Sequence, residues 1–400
     1  MPIEITVPGS KSIANRALLL AALLDKDIKI ENIPECDDTI SMIRCLEKLK
    51  NSKGSPIKLF TGDAGTTTRF LTAFSTLRDK EIIISGSKRM NERPIKPLSD
   101  ALNELGANIQ INKSCPPLHI AATKLKGGKI SIPGNISSQY ISALLMVAPF
   151  TEEKTTINID QELCSKPYIE MTIKVMKAFG IETTNNKFEQ LSAFQTNDTP
   201  TQFMVENDAS SASYAGAYAA LHPEKTITLK NISKDSIQGD IKFLQYLEKM
   251  GCKITHDENE TSIKGPETLK SLGTIDMNST PDLVMTFAAL AMLTPGTTTI
   301  NNIGNLRIKE TDRLKALESE IENFGIKIRT GKDFIEIEGD PKLPTALRKK
   351  VSVKTYNDHR IAMCFGILTD IIPQIEIENP KCVAKSYPTF WEDLNTLQNG

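Results

Sequence analysis

Several things are scarce in this 400-residue chain, and each scarcity closes off a class of protein. Lysine plus arginine number 48 and aspartate plus glutamate 49, so no global field of either sign argues for nucleic acid or an anionic membrane, and anion recognition must be local. The seven cysteines stand singly, with no CxxC pair, and only four histidines accompany them. That speaks against a disulfide framework or a zinc site and fits a reducing, cytoplasmic setting. The longest apolar runs, Ala17 to Leu24 and Leu283 to Leu293, fall short of a membrane span and border charged or polar residues. Met1-Pro-Ile-Glu-Ile-Thr6 reads as an immediate strand, with no basic n-region or transit-peptide composition. What is present is a globular composition: 40% hydrophobic residues suffice for a real core, and the length suggests two or three domains.

The chain repeats itself. A strand-like phrase recurs six times, as Ile28 to Ile33, Glu81 to Ser85, Thr155 to Ile159, Thr226 to Ile232, Thr297 to Ile303 and Ile375 to Glu378. A second phrase, helix end, glycine, then strand, recurs around Gly106, Gly180, Gly251 and Gly325, at spacings of 74, 71 and 74 residues. A period of about seventy residues fits a βαβαββ unit, and six such units in two sets of three predict two pseudo-symmetric α/β domains. The polar stretch Gln195 to Gln202, with Pro200 as breaker, reads as a loop approaching a domain boundary.

The stretch Asn305-Leu-Arg-Ile-Lys-Glu-Thr-Asp-Arg-Leu314 is the most unusual. A strand is expected to give way there to a helix beginning near Thr311, since Leu314, Leu317, Ile321 and Phe324 recur at helical spacing as far as Gly325. A helix N-terminus is already partly positive, yet this one carries Arg307, Lys309 and Arg313. Either it is a solvated helix start with Glu310 and Arg313 paired at i,i+3, or it is an anion site where dipole, backbone N–H groups and cations face a ligand. Other predicted helix starts share the pattern, with Lys11 and Arg16 near Ser10 and Ser12, Arg93 before Pro94, and Arg360 after Asp358. Gly62-Asp-Ala-Gly-Thr-Thr-Thr-Arg-Phe70 opens a helix with glycine and hydroxyls, leaving bare N–H groups for an anion. Pro8-Gly-Ser-Lys-Ser12 is not a Walker A loop, because the glycine five positions before a Gly-Lys pair is absent. Ordinary capping by Ser, Asp or Asn explains any one site; recurrence of cations at these starts is what capping does not explain.

Taken in order, Pro8-Gly-Ser-Lys-Ser, Asn15-Arg-Ala-Leu, Ala64-Gly-Thr, Glu92-Arg-Pro-Ile, Ser137-Ser-Gln, Ser165-Lys-Pro-Tyr, Asp208-Ala-Ser-Ser-Ala-Ser, Gln238-Gly-Asp, Pro281-Asp, Lys309-Glu-Thr-Asp-Arg, Asn357-Asp-His-Arg and Pro380-Lys-Cys resemble the 5-enolpyruvylshikimate-3-phosphate synthase family over nearly the whole chain. The resemblance implies a two-domain inside-out α/β barrel, the enolpyruvyl transferase fold, of six βαβαββ repeats. One domain would be residues 10–205, the other 1–9 with 206–400, and the active site would lie in the cleft between them. It implies transfer of the enolpyruvyl group of phosphoenolpyruvate to the 5-hydroxyl of shikimate 3-phosphate, with release of phosphate, in the shikimate pathway that leads to chorismate and the aromatic amino acids. By matching motif, shikimate 3-phosphate would meet Ser12, Arg16, Ser137, Ser138, Ser165, Tyr168, Asp282, Asn305 and Lys309. Phosphoenolpyruvate would meet Lys11, Gly65, Arg93, Gln139, Arg313, Arg360 and Lys385. Asp282 would be the base for the 5-hydroxyl, Glu310 the proton donor and acceptor at the methylene carbon, and Lys11 a proton partner of the leaving phosphate. Addition and elimination of this kind need neither metal nor organic cofactor. The resemblance further implies a cytoplasmic monomer, inhibited by glyphosate at the phosphoenolpyruvate position near Gly65. One departure stands out: Asp63 replaces the asparagine frequent in the family, and is expected to point away, as a cap.

Two rival readings follow. UDP-N-acetylglucosamine enolpyruvyl transferase shares fold and donor, but its family carries a cysteine in a glycine-containing loop, whereas Cys115 here runs into Pro116-Pro117-Leu118-His119 and reads as a buried or edge cysteine. A non-catalytic repeat scaffold would leave the paired acid, base and cations at repeat starts unexplained. His359 reads as a helix-start residue, with Arg360 the functional member of that pair.

Overall fold

The recurring isoleucine- and threonine-rich phrases are strands, as their β-branched, alternating character requires, and they enter four sheets built to one plan. In the first, Ile57–Phe60 runs parallel to Ile82–Ser85, which pairs antiparallel with Cys115–Ile120, itself antiparallel to Ile109–Asn112. The same order and directions recur in Gly128–Pro133, Thr155–Asp160, Gln190–Gln195 and Ile181–Asn186. They recur again in Ile3–Ile5, Thr226–Lys230, Glu260–Lys264 and Lys253–His256. The fourth set is Thr274–Asp276, Gly296–Asn301, Ile335–Gly339 and Lys327–Thr330. Two further units keep only the parallel pair, Lys29–Glu31 with Gln202–Met204 and Val351–Val353 with Ile375–Ile377. Among the described residues six repeats are therefore present, four with the closing hairpin and two without it.

This computed structural model describes residues 1–196 and 198–400. The polar stretch Gln195 to Gln202 includes Asn197, which lies outside the described residues; its other residues between the flanking strands form no helix or strand. The chain falls into two compact units, Ser10–Val205 and Met1–Gly9 with Glu206–Gly400.

Within each unit the sheets lie outside and helices fill the centre. In the second unit, Ala209–Leu221, Val284–Leu293 and His359–Gly366 are buried almost throughout; the first two are apolar or small on nearly every side, and the third becomes so after His359 and Arg360. In the first unit, Lys11–Leu24, Gly65–Ser75, Ser138–Val147 and Lys166–Ala178 pack in a ring, each against two others. The helix Gly65–Ser75 is wholly buried despite its threonines. Their hydroxyls are satisfied locally: Thr68 Oγ1 donates to the Ala64 carbonyl at 2.9 Å, Thr72 Oγ1 to that of Thr68 at 2.7 Å and Thr67 Oγ1 to that of Asp38 at 3.1 Å.

The repeat glycines stop one helix in each of four repeats. Gly106, Gly180, Gly251 and Gly325 all have positive φ, between 73° and 105°. Each amide donates three residues back, to Asn103, Lys177, Glu248 and Glu322, as a left-handed helix stop requires. Gly339 is a glycine for another reason. A Cβ there would fall 2.0 Å from the Thr294 carbonyl oxygen and 2.2 Å from that of Ala291, because the strand crosses the end of the buried helix at backbone contact. The same crossing recurs at Gly265, against the Ala219 carbonyl at 2.5 Å.

These two kinds of glycine predict different losses. Gly325→Ala meets no atom within 4 Å and should lose only the left-handed strain of about 1 kcal/mol. Gly339→Ala forces backbone apart and should lose about 3 kcal/mol or more. Thermal unfolding of both variants checks this, and equal midpoints would contradict the packing described.

Candidate active site

In the unit Ser10–Val205, the central helices begin at one end, and the candidate residues gather there. Gln139, in the first turn of Ser138–Val147, donates through Nε2 to Thr66 Oγ1 at 3.1 Å and accepts from Arg69 Nη1 at 3.1 Å. Arg16 Nη2 donates to the Tyr168 carbonyl at 3.2 Å, and its Nε to Thr172 Oγ1 at 2.7 Å, joining the starts of Lys11–Leu24 and Lys166–Ala178. Ser137 caps its helix by accepting from the Gln139 amide at 3.3 Å. Ser165 holds the left-handed conformation, φ 55°, a strain of the kind that concentrates at functional sites. Parallel helix starts add their dipoles, so this end is electropositive before any side-chain charge is counted.

The cations here are held chiefly by neutral groups. Arg16 is buried, with Nη1 on the Ser12 carbonyl at 2.7 Å and its guanidinium 5.3 Å from the Phe70 ring centre. Burial lowers its pKa to about 10, with Tyr168 opposing. Arg69 rests on Gln139, the Pro94 carbonyl and the face of Tyr140. Lys11 pairs with buried Asp38 at 3.1 Å. Gly65 lies under two guanidinium groups: a Cβ there would sit 2.5 Å from Arg69 Nη1 and 2.8 Å from Arg93 Nη1, and its φ is not positive. It is therefore kept for close approach, not for backbone angle.

Several local expectations change. Asp63 is not a cap: its carboxylate accepts from Ser87 Oγ, which also accepts the Met90 amide at 3.1 Å, while the helix at Gly65 has no side-chain cap. Pro94 does not open a helix; Lys96–Glu104 does, with Pro97 in its first turn. Neither Ser10 nor Ser12 caps Lys11–Leu24 with its side chain.

In the unit Met1–Gly9 with Glu206–Gly400, the helix predicted near Thr311 begins at Arg313, and the Asp312 carboxylate caps it through the Lys315 amide at 3.0 Å. The segment before it is a 3-10 turn, Gly304–Ile308, not a strand, because the strand ends at Asn301. Leu314, Leu317, Ile321 and Phe324 are buried as expected. Arg313 is buried too, and it meets three carboxylates. It donates to Asp358 through Nε at 2.8 Å, to Asp282 through Nη1 at 3.2 Å and to Glu310 through Nη2 at 2.9 Å. Asp282 also accepts from Arg360 Nη2 at 2.8 Å, and Glu310 lies 3.9 Å from Lys385 Nζ. Burial alone would lower the Arg313 pKa; Asp358, Glu310 and Asp282 reverse this and hold it above the usual value. His359 is buried, 3.7 Å from the Asp358 carboxylate. Asn305 lies in the 3-10 turn and Lys309 directly follows it, both half-buried.

Arg69, Asp38, Asp358 and Asp240 are residues that sequence reasoning left out. Asp240 stood in the quoted Gln238-Gly-Asp motif without a role, Asp358 only as a cap, and Arg69 and Asp38 carried no signal that spacing could show. Asp240 accepts from Ser210 Oγ. Burial, then the charge of Asp282, pushes its pKa up to about 7, with Ser210 and Arg360 opposing. A carboxyl raised in the folded state contributes stability that is full below its unfolded pKa near 3.8 and is lost as pH rises towards 7. Asp240→Asn has no such loss. Its thermal midpoint relative to the parent should therefore rise steadily between pH 4 and pH 8; a difference flat across that range would contradict the raised pKa.

Comparison with known proteins places the chain in a family. Residues 2–394 match the family model described as EPSP synthase (3-phosphoshikimate 1-carboxyvinyltransferase). The 3-phosphoshikimate 1-carboxyvinyltransferase of Marinomonas sp. (strain MWYL1) is 43% identical over 99% of this chain and 97% of its own. That of Haemophilus influenzae (strain PittEE) is 42% identical over 98% and 96%. The solved EPSP synthase of Acinetobacter baumannii superposes with a TM-score of 0.76 over 98% of this chain and 94% of its own, at 22% identity, and shares the fold. The chain belongs to the EPSP synthase family, the 3-phosphoshikimate 1-carboxyvinyltransferases.

Proposed function

We propose that this protein transfers the enolpyruvyl group of phosphoenolpyruvate to the 5-hydroxyl of shikimate 3-phosphate, releasing phosphate. Family membership supports the reaction. The observation that supports the residue roles is that Arg313 shares both candidate proton carriers, Asp282 and Glu310, with Arg360 and Lys385.

Phosphoenolpyruvate is assigned to Lys11, Gly65, Arg93, Gln139, Arg313, Arg360 and Lys385, and shikimate 3-phosphate to Ser12, Arg16, Ser137, Ser138, Ser165, Tyr168, Asp282, Asn305 and Lys309. Arg16 supports this: a buried cation held by neutral partners is suited to a ligand anion. Donor anions compete with Asp282 and Glu310 for the same guanidinium and ammonium groups. A carboxylate relieved of such a partner accepts a proton more readily. Asp282 then takes the proton of the 5-hydroxyl as that oxygen bonds to C2 of the donor, while Glu310 protonates C3 to a methyl group. In the elimination, Glu310 takes a proton back from the methyl group, the bond from C2 to the phosphate oxygen breaks, and Lys11 protonates the departing phosphate.

Glyphosate is expected at the donor position. The seven free cysteines support a cytoplasmic setting, and we take the protein to act as a monomer. Against the nucleotide-sugar reading, Cys115 begins the strand Cys115–Ile120, and burial, then Glu92, raises its thiol pKa, the opposite of an activated nucleophile. Phosphate release with each acceptor tests this: activity only with UDP-N-acetylglucosamine would overturn the assignment.

Glu310→Gln should lower kcat by about 10²-fold or more with the fold intact. In Gly65→Ala the new methyl group displaces the ends of two flexible arginines, so the thermal midpoint should hold. The KM for phosphoenolpyruvate should rise about tenfold, glyphosate inhibition should weaken, and the KM for shikimate 3-phosphate should move much less. Steady-state kinetics and inhibition titrations decide it; unchanged donor KM and glyphosate sensitivity in a folded Gly65→Ala variant would remove Gly65 from the donor site.

A further inference from the structure

The three carboxylates around Arg313 are not equivalent. Asp358 approaches from the interior and takes the guanidinium side-on, accepting from Nε at 2.8 Å and from Nη2 at 3.3 Å. The side chains of Arg313 and Asp358 are 1% and 0% exposed. Asp358 is itself fixed, since its Oδ1 accepts from the Arg360 amide at 2.9 Å and its own amide donates to the Thr355 carbonyl at 2.8 Å. Asp282 and Glu310 approach from the other side and are 21% and 14% exposed. An anion arriving from solvent can replace these two. It cannot replace Asp358, because that carboxylate is out of reach of solvent and its withdrawal would leave the buried Nε of Arg313 without its partner.

We propose that Asp358 is a positioning residue for the reaction: it anchors Arg313 from inside and sets the start of the helix carrying Arg360, so that the two arginines present fixed donor-binding edges while Asp282 and Glu310 exchange with the ligand. The proposal rests on the assignment of Arg313 to phosphoenolpyruvate. The plainer reading makes Asp358 a helix cap and no more. A cap needs only an oxygen that accepts the Arg360 amide, and asparagine supplies one as well as aspartate. The anchor needs the carboxylate, whose charge and two acceptor oxygens form the bidentate ion pair that fixes the guanidinium plane, whereas asparagine offers one acceptor oxygen and no charge.

Asp358→Asn separates the two readings. The cap-only reading leaves kinetics unchanged. With the anchor weakened, Arg313 settles onto Asp282 and Glu310, so the KM for phosphoenolpyruvate should rise roughly tenfold or more and the KM for shikimate 3-phosphate should stay within about twofold. Asp358→Glu keeps the charge but displaces the guanidinium by about a methylene; it should raise the donor KM in the same selective way, and it decides the matter if Asp358→Asn does not fold. Arg313→Lys tests the assignment beneath. If Arg313→Lys leaves the donor KM unchanged, that assignment fails; if it raises the donor KM while a folded Asp358→Asn or Asp358→Glu variant leaves it unchanged, the positioning role is overturned.

Discussion

A guanidinium buried among three carboxylates is the interaction on which the candidate site of the unit Met1–Gly9 with Glu206–Gly400 depends. Taking Arg313 out of water is unfavourable by several kcal/mol, and only close, well-directed anions offset it. The chain supplies them from three places: Asp358 at a helix cap, Asp282 before the buried helix Val284–Leu293, and Glu310 before the helix Arg313 begins. Each position is set by backbone structure, so the cluster is prepared by folding rather than by ligand.

The unit Ser10–Val205 solves the opposite problem. Its cations at Arg16 and Arg69 stand on carbonyls, hydroxyls, an amide and aromatic faces, with parallel helix starts adding partial positive charge. One unit therefore offers positive ends held mainly by neutral groups, and the other offers cations already matched to carboxylates that can act on protons. Two multiply charged anions need the first kind of surface for binding, and addition followed by elimination needs the second for proton transfer.

Much of this was legible in the sequence, because the repeat is written in local signals. The β-branched phrases became strands, the glycines near residues 106, 180, 251 and 325 became left-handed stops, and Leu314, Leu317, Ile321 and Phe324 became the buried face of one helix. Boundaries shifted where side-chain chemistry competed: Asp312 took the cap and moved the helix start to Arg313. The absence of the closing hairpin in two repeats was not legible, since the strand phrase that marks a unit is present in all six. Of the partners of Arg313, Glu310 was legible as its i,i+3 pair, but Asp282, earlier in the same repeat, and Asp358, in the next, were not, because no spacing along the chain encodes their meeting with it. Asp63 shows the limit of motif reasoning, since a carboxylate beside a candidate anion site meets Ser87, 24 residues away, a contact that no motif shows.

The central claim is that donor anions exchange with carboxylates already resting on the same cations. Glu310, displaced beside a phosphate, takes up the proton that it later gives to C3, so binding and proton uptake must be linked. Calorimetric titration of phosphoenolpyruvate into the protein at pH 7, repeated in buffers of different ionisation heat, measures that linkage. The account predicts net proton uptake that disappears in a Glu310→Gln variant; binding with no net uptake, or uptake undiminished in that variant, would contradict it.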